Sequence, residues 1–193
     1  MGICGYINNS EKIRNDKVIL DMTKSINKRI CSISNIYIHN NLAFGHTKQI
    51  IGDLLSENQP FTYDYNSNTY TIVFNGELYN SDEIKRELLE SGFCFKTNSD
   101  SESVLFSYIA HKEKCLDKLD GVFSFAIYSK KENLLFLARD RLGVKPLFYT
   151  ITNNTLVFAS EIKSILTHPY VKAKVRSKRI NGINWTRTCA HTR

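Results

Sequence analysis

A thiol near the start of the chain is the first group that could do chemistry. Cys4 stands in "MGICGYIN" between small and apolar neighbours. A cysteine in such a setting is either a nucleophile or a buried thiol that packs as a small apolar group. The five cysteines (Cys4, Cys31, Cys94, Cys115, Cys189) are odd in number and scattered, with no CxxC pair. Neither a disulfide framework nor a zinc site follows from them, and free thiols of a cytoplasmic protein are expected. Three other stretches concentrate polar residues of unusual specificity: "VFNGELYN" (73–80), "TNSDSESVL" (97–105) and "ARDRLGVKPLFYT" with "FASEIKSIL" (138–150 and 158–166). Taken alone, the Asn75-Gly76 pair reads as a turn that ends a strand.

The elements that must carry these residues can be read from periodicity and punctuation. Residues 2–8 read as a strand and 16–29 as an amphipathic helix, followed by a hairpin over "NIYIHNNLAFGH". "YTIVFNG" is apolar and β-branched, a buried strand stopping at Asn-Gly. Asn80 with Glu83 makes one capping box, opening a helix with an Ile84, Leu88 and Leu89 stripe that Gly92 closes. Ser99 with Glu102 makes a second, opening a helix through "SVLFSYIAHKEK". "GVFSFAIYS" and "NLLFLARD" are strands around Lys130–Lys131–Glu132, and "PLFYTIT" and "TLVFASE" pair around Asn153-Asn154. Hairpin strands outnumber helices, which predicts an α+β fold of largely antiparallel sheets with helices on their faces.

A chain of 193 residues suits one domain, with the composition of an ordinary globular protein. No apolar run approaches the roughly 20 residues that span a bilayer, and no secretory leader is visible, so no membrane partner is expected. The net charge of +7 is uneven: after Glu161 there are eight basic residues and no acidic one. Up to Glu161 the balance is −1, from 18 basic and 19 acidic residues (26 less 8, against 19). A nucleic-acid surface is therefore not expected of the body of the chain.

The quoted blocks, with "GICGYIN", resemble the glutaminase domain of the class II glutamine amidotransferases. They cover roughly residues 2–172 in one order, and "RDRLGVKPLFY" and "FASEIK" look most like the glutamine-hydrolysing asparagine synthetases. The resemblance implies an N-terminal nucleophile hydrolase-like sandwich of four layers, two antiparallel sheets between helical layers. It implies glutamine as substrate, a synthetase domain or subunit as partner, and neither cofactor nor metal. It further implies that an N-terminal cysteine attacks the glutamine amide with its own α-amine as base. Asn75 and Gly76 match the oxyanion-hole pair, and Glu77 and Asp100 match the two acids that hold the substrate's ammonium end.

Several positions depart from the family pattern. The family begins Met-Cys-Gly-Ile, often followed by a second Cys and Gly. This chain begins Met-Gly-Ile-Cys-Gly, so Cys4 matches the second, structural cysteine, and no thiol precedes Gly2. The Arg-Gly-Pro-Asp loop becomes Arg29, Ile30, Cys31 and Ser32. The arginine for the substrate carboxylate falls on Lys48, which keeps the charge but not the two-pronged contact. No Ser-Gly-Gly-x-Asp-Ser pyrophosphate loop occurs, so the synthetase half is expected to be missing. Residues 1–171 are expected to form the domain, and 172–193 a basic, disordered tail of shifted-frame origin. The expected function is a truncated, inactive glutaminase domain. The alternatives are a noncatalytic module binding glutamine or a synthetase, and a glutaminase activated by cleavage before Cys4.

Overall fold

Four hairpins supply eight of the nine strands among the described residues, and each turn is built on asparagine. The computed structural model describes residues 1–8, 16–26, 32–49 and 58–174. Its elements are β1 (Gly2–Asn8), α1 (Asp16–Ile26), β2 (Ser32–His39), β3 (Leu42–Gln49), β4 (Phe61–Tyr65), β5 (Asn68–Leu78), α2 (Ser81–Glu90), α3 (Asp100–His111), β6 (Gly121–Ser129), β7 (Leu134–Arg139), β8 (Phe148–Thr152), β9 (Thr155–Ala159) and α4 (Ile162–Thr167). Asn153 and Asn154 both take positive φ, 47° and 55°, as a two-residue hairpin turn matched to strand twist requires. Asn40, Asn66 and Asn133 do the same at the other three turns, where asparagine tolerates the left-handed region better than most residues.

The strands form two antiparallel sheets, one in the order β2-β3-β1-β9-β8 and one in the order β4-β5-β6-β7. Strand alternation divides their side chains into three apolar layers. Ile3, Ile7, Phe44, Val73, Ala126 and Phe158 fill the space between the sheets. Cys4, Tyr6, Val157 and Ala159 face α1 and α4, through Ile19, Met22 and Ile165. Ile72, Phe74, Phe123 and Phe125 face α2 and α3, through Leu88, Leu105 and Phe106. The result is the expected α+β sandwich: helices, sheet, sheet, helices.

Three local expectations are corrected. Asn75-Gly76 is no turn: β5 runs on to Leu78, with Asn75 opposite Ser124, Gly76 opposite Phe123 and Leu78 opposite Gly121. Pairing to β6 outweighs the local turn preference. Gly76 is needed there for closeness, since a Cβ would lie 2.7 Å from Phe123 Cα and nearer still to the Val122 carbonyl oxygen. Asn80 does not cap α2 with its side chain. Its amide instead donates to Lys118 O (2.9 Å) and accepts from Asp120 N (3.0 Å), fastening the helix start to the approach of β6. Strand β4, where Phe61 and Tyr63 pack on the helical layer and alternate with Thr62 and Asp64, is an element the sequence reading did not include. The last turn of the expected 16–29 helix, the Arg29–Cys31 stretch and residues 175–193 lie outside the described residues.

Phe158 stacks edge-on with Phe44, ring centroids 5.8 Å apart, at the centre of the inter-sheet layer. Phe158→Ala should lower unfolding stability by about 3–5 kcal/mol in urea titration. Tyr149→Ala, at an exposed position on β8, should change it by less than about 0.5 kcal/mol.

Candidate functional site

The residues singled out by sequence converge on one end of the inter-sheet layer. The start of β1 is held from both sides. Ile3 N–H donates to Ser160 Oγ (3.0 Å) and Ser160 N–H to Ile3 O (2.8 Å). On the other side Thr47 Oγ1 donates to Gly2 O (3.4 Å). Along β3, Leu42 and Phe44 point between the sheets, and by the same alternation so do His46 and Lys48. His46 is paired with Ile3 and is 3% exposed. β5 lies across this layer from β1 and β3. Asn75 and Glu77 share the face of Val73, which belongs to the inter-sheet layer, while Gly76 shares that of Phe74 and packs on β6.

Asp100 reaches the same place from the first residue of α3. Its Oδ2 accepts Leu78 N–H at 2.9 Å, so the carboxylate grips the peptide that follows Glu77. The four polar positions Asn75, Gly76, Glu77 and Asp100 are thereby one unit. Lys48 ends on the facing sheet. Its charge and that of the amino terminus both bear on His46, which places amine, imidazole and ammonium together at the mouth. Burial, with those two like charges, pushes the His46 pKa down to about 4. The imidazole is therefore neutral at physiological pH, and its Nε2 is buried without a partner among the described residues.

The mouth thus offers cations on one sheet and, across from them, the Asn75 amide and Glu77 carboxylate of β5 beside the Asp100 carboxylate of α3. That pattern fits a zwitterion such as an amino acid. Among the described residues no group of three or more metal-ligating side chains comes together. Cys4 is not part of the site. It faces α1, with Sγ 3.5 Å from Thr23 Oγ1, and burial raises its pKa to about 11. The residue next to Gly2 at the mouth is Met1, a thioether.

A family model described as a glutamine amidotransferase domain matches residues 1–191. The chain belongs to the class II glutamine amidotransferases. Among curated relatives, the chain is 43% identical over 175 residues to "Asparagine synthetase [glutamine-hydrolyzing] 3" of Bacillus subtilis (strain 168), covering 90% of this chain and 28% of the relative. It is 32% identical over 191 residues to "Putative asparagine synthetase [glutamine-hydrolyzing] 2" of Methanocaldococcus jannaschii, covering 90% and 36%. The chain therefore spans about a third or less of the length of these relatives. In fold it is similar to the glutamine phosphoribosylpyrophosphate amidotransferase from B. subtilis, with TM-score 0.71 and 20% identity over 86% of this chain and 43% of that one. No helix among the described residues is long and apolar enough to cross a membrane.

Sequence reasoning missed His46, Ser124 and Glu102 as residues of the site's surroundings. Ser124 lies opposite Asn75, fully buried, its Oγ without a partner among the described residues. His46 could have been noticed from its place two residues before Lys48. Ser124 carried no signal in "GVFSFAIYS" beyond a polar residue in an apolar strand.

Two outcomes test this geometry. His46 should make the fold acid-sensitive. Its folded pKa lies below the unfolded value, so the unfolded chain takes up the proton first. The stabilisation is complete above pH 6.5 and is lost as pH falls from there to about 4, by about 3 kcal/mol. His46→Gln should flatten the stability profile across that window, leaving a smaller slope from buried His168, whose pKa burial also lowers. In a native alkylation time course, exposed Cys94 should react before the other two thiols of the described residues. Cys4 and Cys115, raised to about 11 and about 12, should react only after unfolding.

Proposed function

We propose that this chain is the glutaminase domain of an asparagine-synthetase-type system, serving glutamine-dependent amidation in the cytoplasm, and that as it stands it hydrolyses no glutamine. The observation that supports this is the mouth of the inter-sheet layer: the binding residues are assembled there, but the position before Gly2 is Met1 and Cys4 faces the helices behind. In this reading Lys48 takes the α-carboxylate of glutamine, Glu77 and Asp100 take its α-ammonium, and Asn75 with Gly76 faces the side-chain carbonyl. A full reaction would need a thiol beside a free amine. The amine would remove the thiol proton, the thiolate would displace ammonia, and water would release glutamate. A thioether cannot attack, and an oxyanion hole without a nucleophile contributes only a residual rate.

The same reading takes a synthetase domain or subunit as partner. Leu142 is 90% exposed, and Val144, Tyr149 and Ile151 are exposed beside it on β8 and the loop before it. A cleft of about 400 Å3 opens there between β7 and β8, lined by Leu137, Leu147 and Phe148. Exposed apolar groups gathered in this way favour a second reading, a noncatalytic module that binds such a partner.

The deciding measurement is glutamate release together with labelling by a glutamine-like electrophile. The unmodified protein should release no glutamate above buffer and take no label. Inserting a cysteine between Met1 and Gly2 should give weak activity and label the new residue alone. Adding Lys48→Arg should raise that activity roughly tenfold through the two-pronged carboxylate contact. Stoichiometric labelling of Cys4 in the unmodified protein would overturn the reading and favour activation by cleavage before Cys4.

A further inference from the structure

We propose that Glu102 is a positioning residue of the amino-acid site, acting through Asp100 on the ammonium end of the ligand. The inference rests on the site reading above and assigns a role within it. As the partner in a capping box, Glu102 would return its carboxylate to the N–H of Ser99. It does not. Ser99 Oγ caps the helix by accepting Glu102 N–H (3.3 Å), but the Glu102 side chain turns to the segment before the cap. One carboxylate oxygen accepts Lys96 N–H at 2.8 Å, and the other accepts Thr97 N–H at 2.8 Å and the Thr97 hydroxyl at 2.6 Å. Glu102 is fully buried, at 0% exposure.

The bonds close a ring. The Thr97 hydroxyl oxygen also accepts Ser99 N–H (3.2 Å) and lies 2.9 Å from Ser99 Oγ. Lys96, Thr97, Ser99 and Glu102 are thus tied together around the first turn of α3. Asp100 lies between Ser99 and Glu102 in sequence, and its carboxylate reaches out of the ring to Leu78 N–H. A buried carboxylate is a costly anchor unless every oxygen is satisfied, and here three donors satisfy it. A neutral amide at this position offers one acceptor oxygen and presents an N–H2 to N–H donors. Asp100 would then lose its fixed direction, and with it both the hold on the Glu77–Leu78 peptide and the aim toward an ammonium group.

A residue that only stabilised the fold would weaken every ligand alike. The test is therefore a titration of Glu102→Gln and the unmodified chain with glutamine and with 4-carbamoylbutanoate, which lacks the α-amino group. It is read by NMR, with amide exchange at Leu78 and at Ile72 of the same strand. The expected result is a Kd for glutamine raised at least fivefold and a Kd for the des-amino analogue within twofold. Exchange at Leu78 should rise at least tenfold, with Ile72 unchanged. Thr97→Val, which removes the hydroxyl with its contacts to Glu102 and Ser99 but keeps both backbone N–H bonds to the carboxylate, should move the same readouts in the same direction by less, and it serves if Glu102→Gln does not fold. Equal loss of both ligands, or unchanged exchange at Leu78, would overturn the proposal. If the unmodified chain binds neither ligand, the site reading fails, and the Leu78 to Ile72 comparison alone upholds or overturns the role of Glu102.

Discussion

The register of β1 between β3 and β9 is the constraint on which the site depends. Cys4 is opposite Gly45 on one side and Ala159 on the other, and Ile3 is opposite His46. Because a strand alternates with period two, this register sends Ile3 and Ile7 between the sheets and Cys4 and Tyr6 to the helices. A slip by one residue would bring the thiol into the inter-sheet layer and send Ile3 out among α1 and α4. Close packing forbids the slip. Gly5 lies under the Phe158 ring, where a Cβ would come within 2.6 Å of it, and Gly45 is pressed against Thr23 of α1 and against Cys4, its partner on β1. Two glycines on adjacent strands thus lock which side chains can see the site.

The electrostatics of the mouth follow from the same seam. Holding β1 by Ser160 and Thr47 leaves the amino terminus beside His46 and Lys48. Three groups able to carry positive charge share a small space, and the buried one yields: His46 stays neutral. Glu77 on the facing sheet and Asp100 at the start of α3 carry the acids. Lys48 makes no ion pair with them among the described residues; Asp100 is turned to a backbone N–H instead. Charges of opposite sign facing each other without direct pairing leave room for a ligand that bridges them.

Most of the fold was legible because its signals are local. Asn-rich turns, alternating apolar strands and the Ser99 cap each reported an element directly, and β1 was read to its residue bounds. What failed did so where a distant partner overrode a local preference. Asn75-Gly76 has turn chemistry, yet nine consecutive residues of β5 pair with β6, and the ladder carries the strand through it. Asn80 and Glu102 have cap chemistry, yet each spends its side chain on a neighbouring loop. The site residues Asn75, Gly76, Glu77 and Asp100 were legible only through resemblance. The contact that joins them, from Leu78 N–H to Asp100, spans 22 positions and leaves no periodic trace.

Separate residues serve the fold and the mouth of the inter-sheet layer. Asp140 illustrates the division. It accepts N–H bonds from Phe123 (3.3 Å), Val144 (2.9 Å) and Lys145 (3.0 Å), and its own N–H donates to Phe123 O (2.8 Å). The "RDRLGVKPL" stretch is thereby pinned to the end of β6, next to the residue that faces Asn75. Burial would raise the Asp140 carboxyl, and these backbone bonds outweigh it and hold the group below its ordinary value. Nothing in that loop needs the thiol. The binding geometry is a by-product of strand register, a helix cap and a buried carboxylate, all of which stabilise the fold in their own right. A catalytic cysteine, in contrast, would contribute no packing at the exposed start of β1, where Met1 is largely solvated.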